Sequence, residues 1–223
     1  MFQNNLLMAA AGGVKAVDIQ YQGLFGSDAS SRTYTYSSAP LGDAATDRII
    51  VVACAYANYS NTLSSCTVGG VTMTQIVTDT SPNAKAYLLY KAVATGTSAD
   101  IVVTWTGGSG TPTDGAIAVW SVYNSTGTPY ASNEDTNYTA SSVALDASLN
   151  VPNNGGLIAY TSRGLSGGGP PAITGATEDF DETAGAELAQ RGASINLAIG
   201  ESPRSVTAAA INYSRLLTCS WGP

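Results

Sequence analysis

The chain contains no histidine. Without an imidazole it cannot assemble a Ser-His-Asp triad, a Cys-His nucleophile pair or a metal site with histidine ligands. Most hydrolase chemistry is therefore excluded by composition alone.

Charged side chains are also scarce. They make up 11% of the 223 residues, well under the roughly 25% of an ordinary soluble protein. Lys and Arg together number nine against sixteen Asp and Glu, so the net charge is −7, and the cations form no cluster along the sequence. Binding to nucleic acid phosphates needs several clustered cations. We therefore expect no nucleic acid partner.

Cysteine is limited to Cys54, Cys66 and Cys219, an odd number without CxxC spacing. This pattern predicts buried small apolar side chains rather than a disulfide framework, and it suggests assembly in a reducing cytoplasm. The first residues carry no positive charge ahead of a short apolar stretch. Neither a secretory signal nor a membrane span is therefore predicted.

Two segments, residues 48–57 (RIIVVACAYA) and 116–123 (AIAVWSVY), are apolar on both alternating faces. Such a pattern predicts strands that are covered on both sides. A two-sheet sandwich buries only one face of each strand. The second face must therefore be covered by a loop, by the N-terminal segment or by another subunit, which favours docking or a homo-oligomer.

Several further β-rich segments follow at regular spacing. An edge strand is predicted at residues 33–37, and a tight hairpin is predicted at Gly69 and Gly70. The clearest alternation of apolar and polar residues predicts a strand at residues 143–151. Residues 20–47 are otherwise rich in turns, and residues 124–142 predict a polar loop. About ten strands with hardly a helix predict an all-β fold, an antiparallel β-sandwich of the jelly-roll or Ig-like kind. No strong internal repeat is visible.

The N-terminal residues 1–20 look like a separate docking segment ahead of a sandwich domain at residues 21–223. Four large apolar side chains, followed by small residues at 9–13, predict that this segment contacts its own domain or a neighbouring subunit. These candidates for docking are Phe2, Leu6, Leu7 and Met8.

Acidic residues in two polar stretches are the candidates for chemistry: Glu134, Asp135, Glu178, Asp179, Asp181 and Glu182. Two carboxyl groups held across a sugar could hydrolyse a glycoside, and EDFDE at residues 178–182 could hold a hard cation, although it lacks the glycine turn and spaced ligands of an EF-hand. Adjacent acids on polar stretches are ordinarily solvated surface. The sequence therefore predicts no catalytic residue, no metal site and no cofactor.

Tyrosine is the dominant aromatic residue and has two interpretations. A ring on a loop or strand end can stack on a sugar or on another protein, whereas alternating rings can simply cover a sheet edge. The tyrosines concerned are Tyr34, Tyr36, Tyr56, Tyr59, Tyr130 and Tyr138. Among them Tyr130 and Tyr138, in the predicted loop 124–142, are the candidates for facing a ligand such as a host-surface glycan. The Gly-rich loop at 164–171 is a second candidate.

The order of the β-rich segments resembles that of β-sandwich virion proteins of tailed bacteriophages. The resemblance rests on DRIIVVACAYA, CTVGGVTMTQIV, AYLLYKAV, TGTSADIVVTWTG and GAIAVWSVYN, within residues 47–124, and on the opening MFQNNLLMAAAGG, which looks like the N-terminal peptide of phage structural proteins. It is a pattern of strands and carries over no active site.

The resemblance implies a non-enzymatic particle component: a head decoration protein, a head fibre or a tail accessory protein. Its partners would be other virion proteins of the capsid or tail, and a homo-oligomer, a trimer in many such proteins, would be usual. The alternative is a tail-associated receptor-binding or carbohydrate-binding module. Both place the protein in the virion after assembly in the host cytoplasm.

Overall fold

A computed structural model of the protein describes residues 13–57, 61–79, 85–108, 110–137, 142–164, 169–184 and 188–223. The first half of the chain forms nine strands. They are β1 (Asp18–Ser27), β2 (Thr33–Pro40), β3 (Ile49–Ala57), β4 (Thr62–Val68), β5 (Val71–Thr72), β6 (Thr74–Thr78), β7 (Ala86–Ala92), β8 (Ser98–Thr106) and β9 (Thr113–Tyr123).

The second half forms ten strands. They are β10 (Ala131–Asn137), β11 (Val143–Asp146), β12 (Leu149–Val151), β13 (Gly156–Gly164), β14 (Ile173–Thr174), β15 (Thr177–Ala184), β16 (Leu188–Asn196), β17 (Glu201–Arg204), β18 (Thr207–Ile211) and β19 (Ser214–Trp221). All described strand pairs are antiparallel, which confirms the all-β, antiparallel prediction. The number of strands exceeds the ten or so that were expected.

The strands form two inner sheets, each faced by outer strands. The first inner sheet has the order β1-β9-β3-β7-β6, and its outer sheet has the order β2-β8-β4-β5. The second inner sheet has the order β10-β19-β13-β16-β15, and its outer strands form the small sheets β11-β18-β14 and β12-β17. The two inner sheets pack against each other through a shared core. The result is a body of four layers.

The central strand β3 shows why its sequence is apolar on both faces. Ile49, Val51 and the other odd-numbered residues face the second inner sheet, where Tyr160 and Trp221 complete the core. Ile50, Val52 and the other even-numbered residues face the outer sheet of the first half. The second apolar face is therefore covered by another sheet of the same chain. The expectation that a loop, the N-terminal segment or another subunit covers it was wrong, and the oligomer prediction loses that support.

The two halves repeat one strand order although their sequences show no strong repeat. In the first half β5 and β6 are separated by Met73 alone and act as one strand that passes between sheets. In the second half β11 with β12, and β17 with β18, are likewise broken strands. Each half then has eight strands in matching positions. In each inner sheet the first strand of the half pairs with its last strand, and the last strand pairs with the third. The third strand then pairs with the second strand of a hairpin, which is β7 in the first half and β16 in the second.

Most predicted strands of the first half are found. β2 is an edge strand, and Gly69 and Gly70, with φ of 55° and 79°, form the β4–β5 turn as predicted. Among the strands that the sequence did not indicate are β1, β10 within the predicted polar loop 124–142, and β15 across the acidic EDFDE segment. Each of these three is an edge strand of an inner sheet.

The strands run between two ends of the body, which we call the near end and the far end. β1 begins and β19 ends at the near end, where the Val17 amide donates a hydrogen bond to the Asn154 carbonyl at 2.8 Å. At the far end β3 ends and β19 begins. The N-terminal segment therefore joins the body at the near end.

Candidate functional site

The residues predicted to dock or bind are only partly described. Phe2, Leu6, Leu7, Met8 and Tyr138 lie outside the described residues. Tyr130 is described: it lies just before β10 with 59% of its surface exposed, and its amide donates a hydrogen bond to the Ser220 carbonyl at 2.8 Å. Its ring is therefore available for contact.

The other described tyrosines of the candidate group are buried, so they cannot stack on a sugar. Tyr34 and Tyr36 lie in the core of the first half with their rings 6.4 Å apart. The Tyr34 hydroxyl donates hydrogen bonds to the carbonyls of Ala29 and Pro112, both at 2.9 Å, and that of Tyr56 to the Asn61 carbonyl at 2.5 Å. These three side chains cover the sheets.

The cysteine prediction is confirmed, because Cys54, Cys66 and Cys219 are free and buried. Burial raises the pKa of the Cys66 and Cys219 thiols to about 12, and it raises that of Cys54 as well. A thiol must ionise to act as a nucleophile or metal ligand. All three thiols are therefore neutral at physiological pH.

The carboxylates of the acidic edge strand β15 lie on both faces of the sheet. Glu178 and Asp181 both accept hydrogen bonds from the Arg191 guanidinium on the neighbouring strand β16. A bulge between Glu178 and Phe180 changes the register, and such a bulge re-aims a side chain. Asp179 and Phe180 consequently both contact the core between the inner sheets.

Asp179 is the most constrained carboxyl group of this strand. It accepts hydrogen bonds from the Trp120 indole Nε1 at 2.8 Å and from the Ser194 hydroxyl at 3.0 Å. Burial raises its pKa, and these two hydrogen bonds partly offset the rise. Tyr21 closes the site by stacking on Phe180 at 5.2 Å, and burial, with the charges of Asp179 and Glu182, raises the pKa of Tyr21 to about 12. The site holds the two inner sheets together at their β1 and β15 edges.

The raised pKa of Asp179 makes a prediction about pH. Because the folded state holds the carboxyl proton more tightly than the unfolded chain, this group destabilises the fold as pH rises from about 4 through the raised pKa. Asp179→Asn keeps an oxygen acceptor for Trp120 but cannot ionise. We expect a smaller loss of Tm between pH 4 and pH 7 in the variant than in the wild type.

Thermal unfolding followed by circular dichroism across this pH range measures the effect. Glu134→Gln is the companion variant, because burial and the neighbouring Asp135 raise the pKa of Glu134 in the same direction. Parallel Tm curves for the wild type and Asp179→Asn would show that Asp179 does not titrate as inferred.

The other predicted acidic pair, Glu134 and Asp135, is divided between the two faces of β10. Glu134 pairs with Leu217 of the core between the inner sheets, whereas Asp135 accepts a hydrogen bond from the Asp146 amide at 2.8 Å.

Within the part of the chain that the structure describes, no group of three or more Cys, Asp or Glu side chains could hold a metal ion. The described residues contain no apolar helix long enough to cross a membrane.

An exposed apolar surface that the sequence did not indicate lies at the near end. We call Val14, Tyr130 and Ile199 the near-end patch; their exposed fractions are 69%, 59% and 79%. Tyr130 and Ile199 flank the turn at residues 152–155, and Val14 lies three residues before Val17, which is bonded to this turn. The Asn154 carbonyl accepts a hydrogen bond from the Val17 amide, and the Asn153 side chain accepts one from the Gly200 amide at 2.8 Å. Pro152 and the Tyr130 ring both lie beside Gly222.

Only two other large apolar side chains are highly exposed among the described residues, Val71 on β5 and Val143 on β11. β16 ends at Asn196, which leaves Ile199 in a loop. The alternation of apolar and polar residues around Ile199 does not show that this side chain is exposed.

No protein-family model matches the chain, and no curated protein matches its sequence.

Proposed function

We propose that this chain is a non-enzymatic structural protein of a tailed-phage virion, attached through its N-terminal segment and displaying its β-sandwiches at the particle surface. A head decoration protein or a head fibre is the favoured role. The proposal rests on the resemblance of the strand segments and on the architecture of the body.

The observation that carries the proposal is the strand order, present twice. In each half, one sheet places the first strand beside the last, the last beside the third, and the third beside a hairpin strand. A second sheet with the intervening strands faces it. This is the arrangement of an eight-stranded jelly roll. Jelly rolls are common in viral capsid domains and in lectins. Two of them, joined through their inner sheets, give a body with a large shared core, which suits a protein exposed on a particle.

The surface chemistry supports the same role. The body carries few charges, and edge strand β15 is occupied by ion-paired acidic residues, which discourages edge-to-edge association with other chains. A protein displayed at high local concentration on a particle needs such protection. Attachment would then depend on the apolar N-terminal segment rather than on the sheet edges.

The test follows an epitope tag inserted after Asp28, in an exposed far-end loop. Immunogold labelling of purified particles of the encoding phage should show the tagged full-length protein on the head. Deleting residues 2–12 should remove the label from particles, while the Tm of the purified variant stays close to that of the full-length protein. A full-length protein missing from particles would refute the virion role, and a deletion variant that still labels them would refute the N-terminal attachment.

A receptor-binding or carbohydrate-binding module on the tail is the second candidate, favoured by the exposed Tyr130 ring and by the occurrence of jelly rolls in lectins. Label confined to the tail would support it. In that case a glycan array should show binding that Tyr130→Ala abolishes. An array without signal would leave a structural role on the tail.

A further inference from the structure

We propose that the near-end patch is the surface of the body that contacts the particle, and that its partner is an apolar, weakly charged surface of the virion protein that holds the N-terminal segment. This inference rests on the proposed function and adds to it the orientation of the molecule. The near end would face the particle and the far end would point outward.

The position of the N-terminal segment carries the first step. The chain first bonds to the near end at Val17, whose amide donates to the Asn154 carbonyl, and Val14 of the patch lies three residues before it. The six residue steps from Met8 to Val14 span at most about 20 Å when fully extended. A partner that grips Phe2 to Met8 therefore lies within about 20 Å of the near end.

The length of the body favours the near end as the contact. The nine residues of β3 alone span about 30 Å, so the point where the segment is gripped lies closer to the near end than to the far end. Of the highly exposed apolar side chains that the structure describes, Val143 is at the far end, where β11 pairs with β18 next to the start of β19. Val143 is therefore a matched control on the same body.

The chemistry of the patch defines the partner. Val14, Tyr130 and Ile199 expose more than half of their surfaces to solvent. The charged residues of β17, Glu201 and Arg204, neutralise each other through an ion pair of 2.5 Å. Exposed apolar side chains grouped in this way mark protein contact surfaces. An apolar partner surface fits this patch, whereas a strongly charged one does not.

The experiment compares Ile199→Asp and Tyr130→Ser with Val143→Asp in the full-length tagged protein. Copies per particle, measured by quantitative immunoblotting, should fall about tenfold for Ile199→Asp, equivalent to about 1.4 kcal/mol of binding free energy. Val143→Asp should leave the copy number unchanged. Because all three side chains are exposed, the Tm of each variant should stay near that of the wild type, which the same preparations can verify.

The outcomes separate this inference from the proposed function. Wild-type protein on particles together with full incorporation of Ile199→Asp and Tyr130→Ser would overturn the patch assignment and leave the virion role intact. Wild-type protein absent from particles would overturn both. Sedimentation velocity adds a third outcome: a wild-type oligomer that Ile199→Asp converts to a monomer would assign the patch to contacts between copies of this chain and so overturn the inference.

Discussion

Asp79→Ala is expected to lower the free energy of unfolding by about 3–5 kcal/mol, the cost of removing one partner from a buried ion pair. Asp79 follows β6 in the first half, and Arg215 lies on β19 in the second half. Their side chains are 0% and 4% exposed, and Arg215 Nε lies 2.5 Å from Asp79 Oδ2. The pair therefore joins the two sandwiches at a point that water does not reach.

The expected cost is large because the substitution leaves a guanidinium charge in a dry interior. Asp79 Oδ2 also accepts a hydrogen bond from the Ala86 amide at 3.1 Å, and the Asp79 amide donates to the Ala86 carbonyl at 3.2 Å. Alanine keeps the backbone bond but loses the side-chain acceptor for both Ala86 and Arg215. The connection between β6 and β7 is weakened together with the contact between the sandwiches.

Urea denaturation measures this effect, with Glu201→Ala as the control. Glu201 pairs with Arg204 at the same 2.5 Å, but the Glu201 side chain is 44% exposed, and such surface pairs contribute about 1 kcal/mol or less. The double variant Asp79→Ala/Arg215→Met should lose less than the sum of its single variants, because both members of the buried ion pair are removed together. Equal losses for Asp79→Ala and Glu201→Ala would contradict a buried, coupled pair.

The inner strands could be predicted from the sequence because burial leaves a direct record in side-chain polarity. β3 is apolar throughout and β9 is apolar from Ala116 to Tyr123 except at Ser121, so their central position was evident. The pattern could not identify the covering layer. An apolar face is required whether a second sheet of the same chain or a second subunit covers it. Only the structure, in which β13 and β19 pack against β3 and β9, distinguishes these two possibilities.

The edge strands escaped prediction for the opposite reason. β10 (ASNEDTN) and β15 (TEDFDETA) carry polar residues where an inner strand would carry apolar ones. Protected edges are polar, and a polar edge strand cannot be told from a loop by periodicity. The bulge that turns Asp179 inward adds a shift of register that no alternation pattern contains.

The near-end patch and the buried charges depend on tertiary structure in the same way. Val14, Tyr130 and Ile199 are far apart in the sequence and lie at one end of the body because β1, β10 and β16 have ends on that side. Likewise, composition gives nine Lys and Arg residues without indicating which of them is enclosed. Arg48 precedes the most apolar strand of the chain, and it is fully buried.

Arg48→Met is the second substitution with a large expected effect, a loss of about 4 kcal/mol in the free energy of unfolding. The Arg48 guanidinium donates hydrogen bonds to six backbone carbonyls at 2.8–3.1 Å: those of Leu41, Gly42, Asp43, Val93, Thr95 and Gly96. These carbonyls belong to the loop after β2 and the loop between β7 and β8. Each buried acceptor that loses its donor costs about 1–3 kcal/mol, less where water can enter.

Lysine should restore only part of this stability. Arg48→Lys keeps the positive charge, but an ammonium group has three N–H donors at one point, whereas the guanidinium has five in a planar fork. It cannot reach the carbonyls of both loops together. We expect a loss about half that of Arg48→Met, and near-end amides at residues 93–97 should exchange hydrogen faster in both variants.

Arg32→Met is the matched control, because Arg32 also donates to two loop carbonyls, Gly107 at 2.8 Å and Gly110 at 3.1 Å, but is exposed to solvent. Water can replace its hydrogen bonds, so its loss should change the midpoint of urea unfolding little. If Arg48→Met were as mild as Arg32→Met, the near-end loops would be held by strand pairing and core contacts alone. A large loss confined to Arg48→Met would show that one enclosed cation fixes the loops beside the near-end patch.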